Sequence, residues 1–249
     1  MLRAYHPYPI SNDAPGLTLD GDESRHLRKS LRAREGEALE VFDGKGRKRT
    51  CAVGPCDQFG MRVTVDDSIL IPQPAIRLTL AQVIPKGGTF DDLIRTAVEL
   101  GAGKIIPLLS ERCEVKLDAD RADAKSERWS TLAIEALKQS GNPWLLEISP
   151  VRKLGKWLPE ALGENRIGLI ASLEEGATRI ADLAAPSGLR EIIVLVGPEG
   201  DFSPAEYGYA RDAGFTPVRL GAHVLRAETA ALYALTAADL LRQRADAGV

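Results

Sequence analysis

A chain of 249 residues, 44% of them hydrophobic, has ample material for a buried core and is long for one domain. Its 32 basic and 35 acidic side chains leave a formal charge of -3, which excludes a general polycationic coat for nucleic acid but leaves local patches open. The amino terminus shows no basic flank followed by an apolar core, and no stretch approaches the roughly 18 uninterrupted apolar residues of a membrane span, so a soluble, cytoplasmic protein is expected. Cys51, Cys56 and Cys113 are odd in number and lack C-x-x-C spacing, which predicts reduced thiols and no metal site.

Residues 1–72 read as a small β-rich domain. Residues 37–42 alternate toward a strand, Asp43-Gly44 is a turn dipeptide, and residues 49–53 and 61–65 supply further strands. Residues 24–34 interrupt them as a helix, with Leu27 and Leu31 four apart on a buried stripe and Arg25, Arg28, Lys29 and Arg32 outside. Residues 25–49 hold nine basic and four acidic side chains. Such a patch suits phosphate-backbone contact and equally suits a solvated surface.

Pro72 and Pro74 flank Gln73 in an extended linker, and the domain boundary is placed there, giving 1–72 and 73–249. Beyond it strands and helices alternate, the pattern of an α/β domain. Residues 76–84 form a nearly continuous apolar strand. A helix over 90–100 follows, with Thr89 and Asp92 at capping-box spacing and Gly101 as its stop. Then come strand 104–109, helix 121–140, strand 145–148, helix 154–162, strand 167–171, a short helix over 178–183 and strand 192–196. Ser203-Pro204-Ala205-Glu206 combines capping serine, first-turn proline and third-position glutamate, so a helix begins there. Gly214 ends it, 217–220 is a last strand, and 228–244 is a helix whose all-round apolar character predicts burial or a dimer interface.

Familiar phosphate-binding and hydrolase motifs are missing. There is no G-x-G-x-x-G after a strand, Gly101-Ala102-Gly103-Lys104 lacks both the earlier glycine and the following Ser or Thr of a phosphate loop, and no G-x-S-x-G is present. What remains are two glycine-bearing loops directly after apolar strands, Gly197-Pro198-Glu199-Gly200-Asp201-Phe202-Ser203 and Leu220-Gly221-Ala222-His223-Val224-Leu225-Arg226-Ala227-Glu228-Thr229-Ala230. Backbone amides at such strand ends can meet a polar ligand without side-chain obstruction, which marks a cofactor site.

These two loops carry a resemblance. Residues 196–203 are similar to a V-G-P-E-G-G-[FL]-S signature and residues 220–230 to L-G-x-R-[IV]-L-R-x-E-T-A, both of the RsmE family of small-subunit (16S) ribosomal RNA uridine-N3 methyltransferases in the knotted SPOUT superfamily. Glu99-Leu100-Gly101, Pro107, Ser110-Glu111-Arg112-Cys113, Gln139-Ser140-Gly141 and the amino-terminal His26-Leu27-Arg28 extend it over nearly the whole chain. The chain departs from the pattern at Thr96, Asn142, Asp201 and His223, where the family has lysine, arginine, glycine and arginine.

The resemblance implies a PUA-like or OB-like β-barrel that binds RNA, followed by an α/β trefoil-knot domain that binds S-adenosyl-L-methionine, in a homodimer acting on ribosomal RNA or the small ribosomal subunit. It implies cofactor contacts at Leu195, Gly197, Glu199, Gly200, Leu220, Gly221, Leu225, Thr229 and Ala230, and RNA contacts at Arg25, Arg28, Lys29, Arg32, Lys86 and Arg112. Arg226 and Glu228 become the catalytic pair, the arginine holding the uracil as it turns anionic and the glutamate accepting a proton or orienting the arginine. From the residues alone, the two pair with each other at the start of the last helix. The rival functions are a methyltransferase of the same superfamily acting on another RNA, and a silent RNA-binding or ribosome-assembly factor that retains the cofactor fold.

Overall fold

The computed structural model describes residues 1–8 and 14–246. The chain divides into two compact units, one of residues 1–73 with 134–145, the other of 74–133 with 146–249.

The first unit is built on a five-stranded sheet in the order β1-β3-β4-β5-β2, from β1 (Leu2–Tyr5), β2 (Gly16–Thr18), β3 (Ala38–Phe42), β4 (Arg47–Asp57) and β5 (Gly60–Leu70). Only β1 and β3 run parallel. Alternation along β4 and β5 sends Cys51, Val53, Met61 and Val63 inward to meet Leu19, Leu27, Leu39 and Val41. The turn after β3 needs its glycine. Gly46 has φ +93, its N–H donates to the Pro143 carbonyl at 3.0 Å, and a Cβ there would stand 2.4 Å from the Trp144 ring.

The helix expected over 24–34 is instead α1 (Gly21–Arg25), capped by the Asp20 carboxylate, running into one π turn (His26–Ser30). The Leu31 N–H donates to the His26 carbonyl five residues back, at 3.1 Å. That wider turn breaks the spacing of four, so Leu27 is buried while Leu31 is 44% exposed. The second basic cluster is largely absorbed by the fold. Arg49 is 1% exposed, Arg47 donates to Ser68 Oγ at 3.2 Å, and Lys48 lies 2.7 Å from Glu40.

The second unit is α/β. Eight strands, β6 (Arg77–Val83), β7 (Lys104–Leu109), β8 (Glu147–Ile148), β9 (Arg152–Lys153), β10 (Arg166–Ala171), β11 (Thr178–Arg179), β12 (Glu191–Val196) and β13 (Phe215–Arg219), pair in parallel throughout. Their order is β11-β13-β10-β12-β6-β7-β8, with β9 also on β7. The helices are α2 (Thr89–Glu99), α3 (Ala119–Ser140), α4 (Leu154–Ala161), α5 (Pro204–Asp212) and α6 (Ala227–Asp246). Both faces of the central strands are covered, which is why 76–84 and 192–196 read as apolar runs rather than alternating ones.

Local readings fail in two places. Thr89 does not cap α2; Gly88 holds the cap position, and the Thr89 hydroxyl donates to the Lys86 carbonyl at 3.0 Å. Residues 178–183 are a two-residue strand and a 3-10 turn (Ile180–Asp182), because Thr178 and Arg179 find a partner in β13. Along the last helix Ala231, Ala234, Leu235, Ala238 and Leu241 face inward, while Tyr233 and Leu240 are 46% and 53% exposed. The Ser203 start is present in full, with Ser203 Oγ accepting from the Glu206 N–H and the Glu206 carboxylate accepting from the Ser203 N–H.

In the first unit Glu40 accepts from Lys48 at 2.7 Å and from Arg3 at 3.0 Å. Burial alone would raise its pKa, but the bonds from Lys48 and Arg3 outweigh it and hold the carboxyl below its usual value of 4.5. Its stabilising contribution is therefore complete above that unfolded value and is lost as pH falls through the depressed folded one. Glu40→Gln should lower the urea midpoint of the first unit at pH 7, and the gap to the parent should close as pH is lowered below the carboxylate range. A gap independent of pH would show that the carboxylate's charge contributes nothing.

Candidate active site

β13, β10 and β12 lie side by side, and their last residues, Arg219, Ala171 and Val196, border one cleft. It has a volume of about 330 Å³ and is walled by the segments that follow: residues 171–173, 196–201 and 219–230. Carboxyl ends of adjacent parallel strands are where open α/β sheets hold ligands, since the loops there diverge and leave backbone groups exposed.

The walls differ in charge. Glu199 and Asp201 stand on the segment after β12, while Arg219, His223 and Arg226 stand on the segment after β13. Apolar surface comes from Val196, Leu220, Val224, Leu225, Ala227 and Ala230. A Cβ on Gly221 would meet nothing within 4 Å, so the backbone there opens onto free space. Gly197 is constrained differently, for a Cβ would press on the Phe202 ring at 3.1 Å.

Charged side chains tie the loop after β12 and the start of α5 to neighbouring segments. Glu199 accepts from the Lys86 N–H at 3.1 Å, Arg112 donates to the Gly200 and Phe202 carbonyls at 3.2 Å each, and Glu206 accepts from the Glu111 N–H at 2.7 Å. Beneath them the buried Gln82 amide donates to the Val83 carbonyl at 2.8 Å and reaches the Gly197 carbonyl at 3.3 Å. Gln82 is the lone polar residue in the otherwise apolar strand β6 apart from threonine and arginine near its start, a signal the apolar-run reading passed over.

Of the residues expected to contact a cofactor, Gly197, Glu199, Leu220, Gly221, Leu225 and Ala230 line the cleft. Leu195 does not: it is fully buried in the core with Val83, Ile170 and Ile193, one residue short of the cleft wall at Val196. Gly200 abuts Arg112 rather than the cleft, and Thr229 is an exposed residue in the first turn of α6. Arg226 lines the cleft, and its side chain makes no ion pair or hydrogen bond among the described residues, so the expected pairing with Glu228 is not formed. Glu228 lies in the first turn of α6 outside the cleft lining. Ser172 and Asp201, to which the sequence assigned no individual contact, also line the cleft, and Tyr207, outside its lining, donates to Asp201 Oδ1 at 2.8 Å.

The residues expected to contact RNA divide between the units. In the first, Arg25, Arg28, Lys29 and Arg32 are exposed, and the first three border a shallow basin of about 200 Å³. Arg25 pairs with Asp22 at 2.7 Å, while Arg28, Lys29 and Arg32 form no ion pair among the described residues. In the second, Lys86 is paired with Glu114 at 3.6 Å, and the exposed Arg112 donates through one guanidinium nitrogen to the loop carbonyls.

The family model of the RNA methyltransferase domain matches residues 72–239, and that of the RNA methyltransferase PUA domain matches residues 19–54. A ribosomal RNA small subunit methyltransferase E from Mycobacterium bovis is 33% identical over 231 residues, covering 92% of this chain and 88% of the relative. The chain belongs to the ribosomal RNA small subunit methyltransferase E family. Another member, from Synechocystis, is 30% identical over 90% of this chain and 73% of its own. The crystal structure of the Neisseria gonorrhoeae member of this family, bound to S-adenosyl methionine, superposes with a TM-score of 0.87 at 32% identity, covering 97% of this chain and 98% of the other. A Legionella pneumophila methyltransferase in complex with the same cofactor gives 0.85 at 28% identity, covering 97% of each chain. The α/β RNA methyltransferase domain and the PUA-like amino-terminal unit are thus those of this family.

Proposed function

We propose that the protein is an S-adenosyl-L-methionine-dependent methyltransferase that modifies N3 of a uridine in 16S, small-subunit ribosomal RNA. The observation that carries this reading is the charge-divided cleft at the ends of β10, β12 and β13, in a chain of this family. Its residues suit the cofactor: Val196, Leu220, Leu225 and Ala230 give an apolar seat for a purine, the open backbone at Gly221 admits a ligand, and Glu199 and Asp201 face a cationic one. When bound, the cofactor supplies a methyl carbon activated by a positive sulfur, and transfer leaves a neutral thioether.

The protein's own task is then alignment and charge. N3 must lie in line with the methyl carbon and must lose its proton, which places negative charge on the uracil oxygens. Arg226, on the wall opposite Glu199 and Asp201 and without a partner side chain among the described residues, is assigned to those oxygens. Glu228, two residues on, is assigned to accept the proton or to orient Arg226 once substrate is present. The first unit is assigned to RNA through Arg25, Arg28, Lys29 and Arg32, with Lys86 as a further contact. The working form is a homodimer, in which the exposed Tyr233 and Leu240 on α6 are covered. Ribosomal RNA as substrate places the protein in the cytoplasm, and no described helix is long and apolar enough to cross a membrane.

Incubation with labelled cofactor and small-subunit particles lacking the modification, followed by digestion and mass spectrometry, should yield N3-methyluridine; bound cofactor without methyl uptake would overturn the reading. Arg226→Ala should lower turnover by about 10²- to 10³-fold with cofactor affinity nearly unchanged. Equal losses in both would mark Arg226 as a cofactor ligand instead. Arg28→Glu with Arg32→Glu should weaken RNA binding and flatten the slope of log affinity against log salt by about one to two. Binding and slope unchanged would return these side chains to an ordinary solvated surface.

A further inference from the structure

Asp201 is one of three non-glycine residues with positive φ among those described, at +57. Its N–H donates to the Pro198 carbonyl at 3.0 Å, closing the turn, and its carboxylate accepts the Tyr207 hydroxyl. That hydroxyl also adjoins the Ser172 side chain and the Leu173 backbone, which follow β10 and line the cleft. Tyr207 is nearly fully buried and packs edge-on against Phe202 at 5.4 Å. A left-handed aspartate could be a mere turn residue. Held by a buried hydroxyl on Oδ1 and lining the cleft, it is instead a carboxylate of fixed position with Oδ2 unengaged among the described residues.

The neighbouring carboxylates are held by backbone N–H groups rather than by a buried hydroxyl. Both oxygens of Glu206 accept backbone N–H groups, and Glu199 Oε1 accepts from Lys86. Burial, and then the Asp201 carboxylate, push the Tyr207 hydroxyl far above its ordinary value, so it stays protonated as a donor.

We propose that Asp201, fixed by Tyr207, is a specificity-determining residue that distinguishes the cationic sulfonium cofactor from its neutral thioether product. This rests on the methyltransferase reading. Substrate and product share the adenosine and the amino-acid tail and differ by one methyl and one positive charge, so apolar contacts hardly separate them. A fixed carboxylate on the wall does, by favouring the charged form and easing release of the neutral one. Tyr207 acts through Asp201 and is a positioning residue.

Calorimetric titration of the full chain with S-adenosylmethionine and with S-adenosylhomocysteine tests this. Asp201→Asn should cut the preference for the sulfonium form by about fivefold, the worth of a partly exposed charge pair, through weaker binding of that form alone. The parent's preference should shrink with added salt and the variant's should not. Asp201→Gly removes the carboxylate at a φ that glycine accepts without strain, so it separates lost charge from a distorted loop and should show the same change. Tyr207→Phe should fall between. Equal weakening for both ligands in all three variants would make Asp201 a loop support only, and unchanged preference would also overturn the inference. A parent protein that binds neither ligand would overturn the methyltransferase reading itself, and this inference with it.

Discussion

The site depends on charged side chains bonded to backbone. The loop of residues 197–202 leaves β12 at the carboxyl edge of the sheet, where strand pairing ends and its N–H and C=O groups need partners. Arg112 takes two of its carbonyls, and the Glu199 and Glu206 carboxylates tie it to the N–H groups of Lys86 and Glu111. Hydrogen bonds to charged groups contribute about 1.5–3 kcal/mol each, well above neutral ones. A loop held in this way keeps its shape while presenting Gly197 and Asp201 to a ligand, so little ordering entropy is lost when one binds.

The same economy of polar groups runs through the sheet. At the amino ends of the central strands the Thr79 hydroxyl donates to Glu191 at 2.6 Å, and Glu191 pairs with Arg166 at 2.9 Å. At the carboxyl ends Gln82 reaches the Gly197 carbonyl. Between these layers lies an apolar interior of Ala81, Ile170, Ile193 and Leu195, packed on its helix side by Trp157, Phe202 and Phe215. Gly168 lets the Phe215 ring approach to within what would be 2.7 Å of a Cβ. The cleft wall is therefore the end of a rigid sheet, and only its outer segments are free to differ in chemistry.

Most of this was legible in the sequence wherever one local rule sufficed. Ser203 to Glu206 named its own helix start, and residues 104–109 read as a strand and are one. Residues 24–34 misled because a π turn is a hydrogen-bond choice that side-chain periodicity does not record. Residues 178–183 misled because their strand depends on a partner forty residues away in β13. In the site, glycine positions after strands pointed to Gly197 and Gly221, but which side chains brace the loop is a matter of three-dimensional approach. Arg112 reads as a cation for phosphate, and the fold adds two bonds to loop carbonyls that the sequence does not record. Asp201 reads as a gap in a glycine motif; paired with Tyr207 it is a charged feature of the cleft.

We propose one cofactor site, the cleft made by the loops following β10, β12 and β13, in which Arg112 and Glu199 hold the loop after β12. The most direct measurement is a crystal structure of this chain grown with S-adenosylmethionine. The account predicts its density between residues 171–173, 196–201 and 219–230, with the bracing bonds to the Gly200 and Phe202 carbonyls intact. Density in another cavity, or in this cleft only after Arg112 has released the loop, would contradict it.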